Sequence, residues 1–205
     1  MSELFLTVMH GARQVMKAQA VNANNLANAS TDGFQAELAH VRAVGRDFEL
    51  VGAPDFTPGN MRSTGRSLDV AINGDGWMTI QSEQGTEGFS RRGDLKIDSF
   101  GLLTNGAGHP VMGNSGPIAL PPFENIEIGS DGTISIQPVG QGPEALAVID
   151  RIKLVNPDPQ TIVRGEDGIM HLLPVNGEEQ IAIPDASVQL QTGSLESSNV
   201  NAVAE

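Results

Sequence analysis

From Ser2 to about Ala27 the larger apolar residues fall at Leu4, Phe5, Val8, Met9, Val15, Met16 and Leu26, with Ala12 and Ala23 filling the stripe. That spacing follows the period of a helix, not the alternation of a strand. Gln14, Lys17, Gln19, Asn22 and Asn25 make the polar face, and Ser2 with Glu3 supplies a helix start. A helix of about 25 residues reaches roughly 37 Å. Its narrow stripe cannot offset the entropy of ordering the helix alone in water, so it calls for partner helices. Because the stripe is rich in small residues (Ala12, Ala20, Ala23, Ala27) and no second helix of matching length lies nearby, the partners are expected on neighbouring subunits.

The helix closes in Asn24-Asn25-Leu26-Ala27-Asn28 and turns at Thr31-Asp32-Gly33, where glycine supplies a positive φ. Phe34 to Leu50 has weak periodicity and reads as helix passing into extended chain. Gly52-Ala53-Pro54 and Thr57-Pro58-Gly59 mark a linker. From Leu68 onward strand-like segments recur between glycine turns: 68–72, 77–81, 88–91, 95–97, 102–104, 126–128, 133–136, 147–155, 168–173 and 187–191. Asn73-Gly74-Asp75-Gly76, Asp131-Gly132 and Asp167-Gly168 provide hairpin turns. The run from Gly193 to Val203 reads as the opening of another helix. The predicted fold is mainly β, an irregular antiparallel β domain with a long N-terminal α-helix and the start of a C-terminal one. Its predicted parts are an N-terminal helix and turn (1–33), an extended connector (34–65), a β-rich middle domain (66–190) and the C-terminal helix start (191–205).

Composition fits a turn-rich β body: 24 glycines and 12 prolines stand against seven phenylalanines, one tryptophan and no tyrosine in 205 residues. With 25 acidic and 12 basic residues the net charge is −13, which repels nucleic acid and anionic membrane surfaces. The absence of cysteine removes disulfides, thiol catalysis and cysteine-ligated zinc. The apolar cluster from Leu4 to Met9 follows Glu3 and is soon interrupted by His10, Arg13 and Lys17, unlike a secretory signal. No stretch approaches the roughly 18 apolar residues of a membrane span. A chain that is soluble, or exported by a route without a cleaved signal, is expected.

Catalytic and cofactor chemistry finds no footing. His10, His40, His109 and His171 are scattered without ligand spacing, and the Asp-Gly pairs lack the alternating acidic loop of an EF-hand. Gly59 to Ser67 has the wrong spacing for a phosphate loop, with Arg66 where lysine must stand. Gly113-Asn114-Ser115-Gly116 is one residue short of a nucleophile elbow. Arg92-Gly93-Asp94 spells an adhesion tripeptide but reads as a hairpin with Arg91 or Arg92 in a surface ion pair. Trp77, in an alternating strand, reads as a core anchor. No catalytic, cofactor-binding or metal residue is assigned.

The run Asn24-Asn25-Leu26-Ala27-Asn28 with Thr31-Asp32-Gly33-Phe34 resembles the N-terminal signature of bacterial flagellar rod and hook proteins. Gly193-Ser194-Leu195-Glu196-Ser197-Ser198-Asn199-Val200 resembles the start of their C-terminal helix. Between them, Ser67 to Trp77, Phe89-Ser90-Arg91-Arg92-Gly93-Asp94 and Gly101-Leu102-Leu103-Thr104 resemble their β-domain core. Gly116 to Pro121 and Arg151 to Val155 are most like proximal-rod members, with distal-rod or hook-family members as the alternative. The resemblance implies a non-enzymatic structural subunit of the basal body, in the rod that crosses the periplasm and carries torque from motor to hook and filament. It implies homo- and hetero-assembly with other rod subunits and passage through the flagellar type III export apparatus, with no nucleic acid and no membrane insertion. Leu4, Phe5, Val8, Val15 and Leu26 would then be buried against neighbours, with Asn24, Asn25 and Asn28 satisfying backbone groups at the helix end. Leu195, Asn199 and Val200 complete the expected subunit interface. Family members continue into a long C-terminal helix, so a sequence stopping at Glu205 reads as truncated. The competing reading is an extracellular β-rich binding or adhesion module built on Trp77 and the Asp-Gly loops.

Overall fold

The computed structural model describes residues 2–44, 47–142, 144–165 and 167–201; the side chains of residues 2–8, 41, 43, 44 and 47–50 lie outside that description. Among the described residues one α-helix, α1 (Ser2–Ala27), precedes sixteen short strands, with a 3-10 turn at Pro159–Thr161. β1 (Glu37–Val44) and β2 (Asp47–Pro54) form an antiparallel hairpin, followed by β3 (Met61–Ser63), β4 (Val70–Asn73), β5 (Trp77–Gln81), β6 (Glu87–Ser90), β7 (Lys96–Ile97) and β8 (Leu103–Thr104). β9 (Phe123–Ile128), β10 (Thr133–Pro138), β11 (Ala147–Arg151) and β12 (Leu154–Val155) come next, then β13 (Ile162–Arg164), β14 (Met170–Leu172), β15 (Gln189–Thr192) and β16 (Ser194–Glu196). The mainly β fold with one N-terminal helix is as the sequence predicts.

All pairings are antiparallel. A five-stranded sheet in the order β12-β5-β6-β14-β13 and a three-stranded sheet β11-β10-β9 form the body, with two-stranded pairs β15-β4, β16-β3 and β7-β8 around them. β5 is buried on both faces, so its period-2 alternation feeds two cores. Met78 joins Val70, Leu103, Ile134, Ile136 and Ile152 in the larger cluster, while Trp77 joins Phe89, Val155, Ile162 and Met170 in the smaller. Trp77 is thus a core anchor, packed edge-to-face on Phe56 at 5.9 Å between ring centroids. The turn between β4 and β5 needs Gly74 and Gly76, whose φ values of 88° and 122° a side chain would resist.

Two expectations fail. Residues 37–44 and 47–54 pair as a hairpin where helix passing into extended chain and then a linker break were expected: Gly52 sits inside β2 opposite Ala39 and is no breaker. A Cβ there would come within 2.8 Å of Glu37 Oε2 on the facing strand, while Val21 of α1 would stand at 3.7 Å, an ordinary contact. As far as residue 201 the run after Gly193 opens no helix; Ser194–Glu196 pairs with Met61–Ser63 as β16, residues 197–201 carry no regular secondary structure, and 202–205 lie outside the described residues. Backbone partners decide this, since a strand edge at Met61–Ser63 satisfies the groups that the polar run would otherwise leave to a helix cap.

Candidate assembly surface

At roughly 100° per residue, Gln14, Ala18, Val21 and Asn25 share one face of α1. These four are the positions between His10 and Asn25 where the helix is not fully exposed, and that face meets the β1–β2 hairpin. The apolar stripe points away: Val15 and Leu26 are each 59% exposed and Met16 is 69% exposed. The helix therefore leans on its own hairpin with its weaker side and leaves its stripe uncovered. The side chains of Leu4, Phe5 and Val8 lie outside the described residues, although the helical backbone carries them on.

The asparagines divide their work. Asn28 closes the helix: its N–H donates to the Asn24 and Asn25 carbonyls at 3.1 and 3.0 Å, and its Nδ2 donates to Asn24 O at 2.9 Å. Asn24 is exposed and accepts both bonds from Asn28. Asn25 is fully buried and does something the sequence did not suggest. Its Nδ2 donates to Glu37 O and its Oδ1 accepts from Glu37 N–H, both at 2.9 Å, so its amide mimics a strand neighbour and pins the helix to β1. Asn25→Ala leaves both Glu37 groups without these partners and is expected to cost about 2 kcal/mol. Thermal unfolding should show a drop of about 4–8 °C.

Arg91 of the β body meets Glu196, near the C-terminal end, in a buried ion pair. Arg91 and Glu196 side chains are 3% and 2% exposed and lie 2.7 Å apart. Arg91 also donates to Gly76 O at 2.8 Å and Gly74 O at 3.0 Å. Glu196 Oε1 accepts from Gly59 N–H at 2.8 Å, and its backbone carbonyl accepts from Gly33 N–H at 2.7 Å. Gly33, at φ 69°, packs so closely that a Cβ would run into the Arg91 carbonyl. The expected surface ion pair of Arg91 is thus a buried junction joining residues from five segments. Arg92 does form a more exposed pair, with Asp94 at 2.8 Å.

Of the expected C-terminal interface residues, Leu195 is buried within its own subunit and Val200 is half-buried. Asn199 is a stitch: Oδ1 accepts from Ala36 N–H at 2.6 Å, and Nδ2 donates to Asp55 O at 2.9 Å and Thr57 O at 2.8 Å. Sequence reasoning missed Arg164, whose guanidinium lies 4.9 Å from the Phe34 ring centroid and 2.6 Å from Glu37 Oε1. The approach to Glu37 is an ion pair without an aligned hydrogen bond from Nε. Burial pushes the Arg164 guanidinium below its ordinary pKa, and Glu37 opposes that. The local sequence around Arg164 does not mark it, because apart from Gly168 O its partners, Phe34, Gln35 O and Glu37, lie far away in the chain.

Among the described residues no group of three or more His, Asp or Glu could hold a metal ion, and no helix is long and apolar enough to cross a membrane. His171 has one acidic neighbour, Asp167 at 2.9 Å.

Residues 5–35 match the family described as flagella basal body rod protein, and residues 71–136 match the D1 domain of flagellar hook protein FlgE/F/G. The flagellar basal-body rod protein FlgF of Escherichia coli (strain K12) is 42% identical, over 100% of this chain and 86% of its own. FlgF of Salmonella typhimurium is 40% identical, over 99% and 85%. FlgG of Buchnera aphidicola subsp. Schizaphis graminum is 30% identical over 69% of this chain and 65% of its own. The likeness to FlgF therefore spans the chain, whereas that to FlgG covers only part of it.

Proposed function

The chain belongs to the flagellar basal-body rod protein family, and from that premise we propose that it is a structural subunit of the rod, in its proximal part. It assembles with copies of itself and with other rod and hook components, and carries torque toward the hook and filament through terminal helices. Passage through the flagellum's own type III export apparatus and residence in the rod between the membranes belong to the same reading. No catalytic step is assigned to it.

The observation that carries this reading is the outward-facing stripe of α1. A helix held to its subunit by one hairpin, with Val15, Met16 and Leu26 uncovered, has much apolar area left to bury, and neighbouring helices of the same kind would bury it. Hydrogen exchange on the free subunit and on assembled rods tests it. Amides of residues 9–24 are expected to exchange quickly in the free subunit, beside protected β5 and β10, and to slow at least 100-fold in the rod. Equal protection in both states would sink the idea.

A further inference from the structure

The chain holds three Asn-Gly pairs, Asn73-Gly74, Asn105-Gly106 and Asn176-Gly177. In such a pair the backbone nitrogen of the glycine can attack the asparagine Cγ, because no Cβ on the following residue crowds the approach. Closing that five-membered ring requires the asparagine backbone to rotate and its side-chain amide to be free. The fold treats the three pairs differently.

Asn105 is 2% exposed, and its Oδ1 accepts from Ala107 N–H and His109 N–H, both at 3.0 Å. Gly106 packs directly against the Asp94 carboxylate. Asn73 has an exposed side chain, but its backbone is held in β4 opposite Gln189, and Gly74 O accepts from the buried Arg91 guanidinium at 3.0 Å. Rotation at either asparagine must therefore open a strand pairing or a buried hydrogen-bond network.

Asn176 and Gly177 are both exposed, with φ values of 55° and 83°. Positive φ at both central residues is the arrangement of a type I′ turn, closed here by two backbone hydrogen bonds of 3.0 Å between Val175 and Glu178. Among the described residues Asn176 alone of the non-glycines has a positive φ. Neither its side-chain amide nor the Gly177 N–H bonds to another described residue, and a Cβ at position 177 would meet nothing within 4 Å. Residues 173–181 are exposed throughout, and the Val175–Glu178 bridge is their one pairing among the described residues. Two hydrogen bonds at a loop tip, not a sheet, oppose the rotation.

We propose that Asn176 is a site of spontaneous deamidation in the folded subunit, and that the fold spares Asn73 and Asn105. The Gly177 nitrogen gives up its proton and bonds to Cγ of Asn176; the Cγ–Nδ2 bond breaks, and ammonia leaves carrying that proton. Water then opens the resulting succinimide at either carbonyl, which yields aspartate or isoaspartate at position 176. Isoaspartate places a methylene in the main chain of a two-residue turn, so the Val175–Glu178 pair cannot close in its original register. Either product adds a negative charge beside Glu178 and Glu179 in a chain whose net charge is already −13.

The folded chain is held near neutral pH in water enriched in heavy oxygen, sampled over weeks, and digested in ordinary water for peptide mass spectrometry. Conversion at position 176 is expected to run at least tenfold faster than at 73 or 105, with heavy oxygen in the converted residue and both isomers present. In denaturant, where no pairing restrains rotation, the three pairs are expected to react at similar rates. Equal rates in the folded chain overturn the proposal. A lead for position 176 that persists unchanged in denaturant also overturns it, because the fold would then not be selecting the site.

Discussion

Arg91→Ala is expected to destabilise the subunit by about 3–5 kcal/mol, a large share of the roughly 5–15 kcal/mol that holds a typical domain folded. The substitution removes the partner of a carboxylate that is 2% exposed, and takes donors from the carbonyls of Gly74 and Gly76. Most of the cost is therefore the price of a charge left buried and unpaired, not the attraction lost. Arg91→Lys keeps the charge but cannot reach three acceptors in a fixed fork, so it should fall between Ala and the parent. Glu196→Gln retains an acceptor for Gly59 N–H and strands the guanidinium instead. Thermal melts are expected to fall by about 6–20 °C for Arg91→Ala. The Arg91→Ala/Glu196→Ala double variant should be far less damaged than the sum of its singles. Additive losses would mean that the two side chains do not act as a pair.

That junction also shows where the sequence was legible and where it was not. A strand such as Thr133–Pro138 could be read because alternation along it reports the face it buries, and hairpin turns advertise themselves through Asn, Asp and Gly. α1 could be read as a helix for the same local reason. Arg91 and Glu196 are 105 positions apart, and each sits in a run that favours an exposed reading: Arg-Arg-Gly-Asp for one and Ser-Leu-Glu-Ser-Ser-Asn for the other. Only the topology that lays β16 beside β3, near Gly33 and Gly59, makes them neighbours.

The hairpin was missed for a related reason. Gly52 and Pro54 carry the local signature of a break, yet Gly52 sits in β2 opposite Ala39 with the Glu37 side chain close by, and that cross-strand pairing is not written in the local run. The asparagines were legible as residue types and not as roles. A run of amides at a helix end announces hydrogen bonding to backbone; which backbone Asn25 serves depends on β1 passing 12 residues later.

Val15→Asp is expected to abolish rod assembly and motility while leaving the isolated subunit's melting temperature within about 1–2 °C of the parent. In the free subunit Val15 is 59% exposed, so a carboxylate there stays hydrated and costs within about 0.5 kcal/mol. In a helix-to-helix contact the same group would be buried without a partner, costing several kcal/mol at every copy along the shaft. The opposite distribution would follow if the helix packed its stripe on its own β body: the subunit would melt lower and assembly would suffer only as a consequence. Arg13→Asp is the companion variant, since Arg13 lies on the same helix roughly 160° from Val15, outside the stripe. It adds more negative charge than Val15→Asp does and should still assemble, which separates burial in the contact from mere charge. Swimming cells carrying Val15→Asp, with rods of normal length in their basal bodies, would remove the stripe from the interface and with it the mechanism proposed for this subunit.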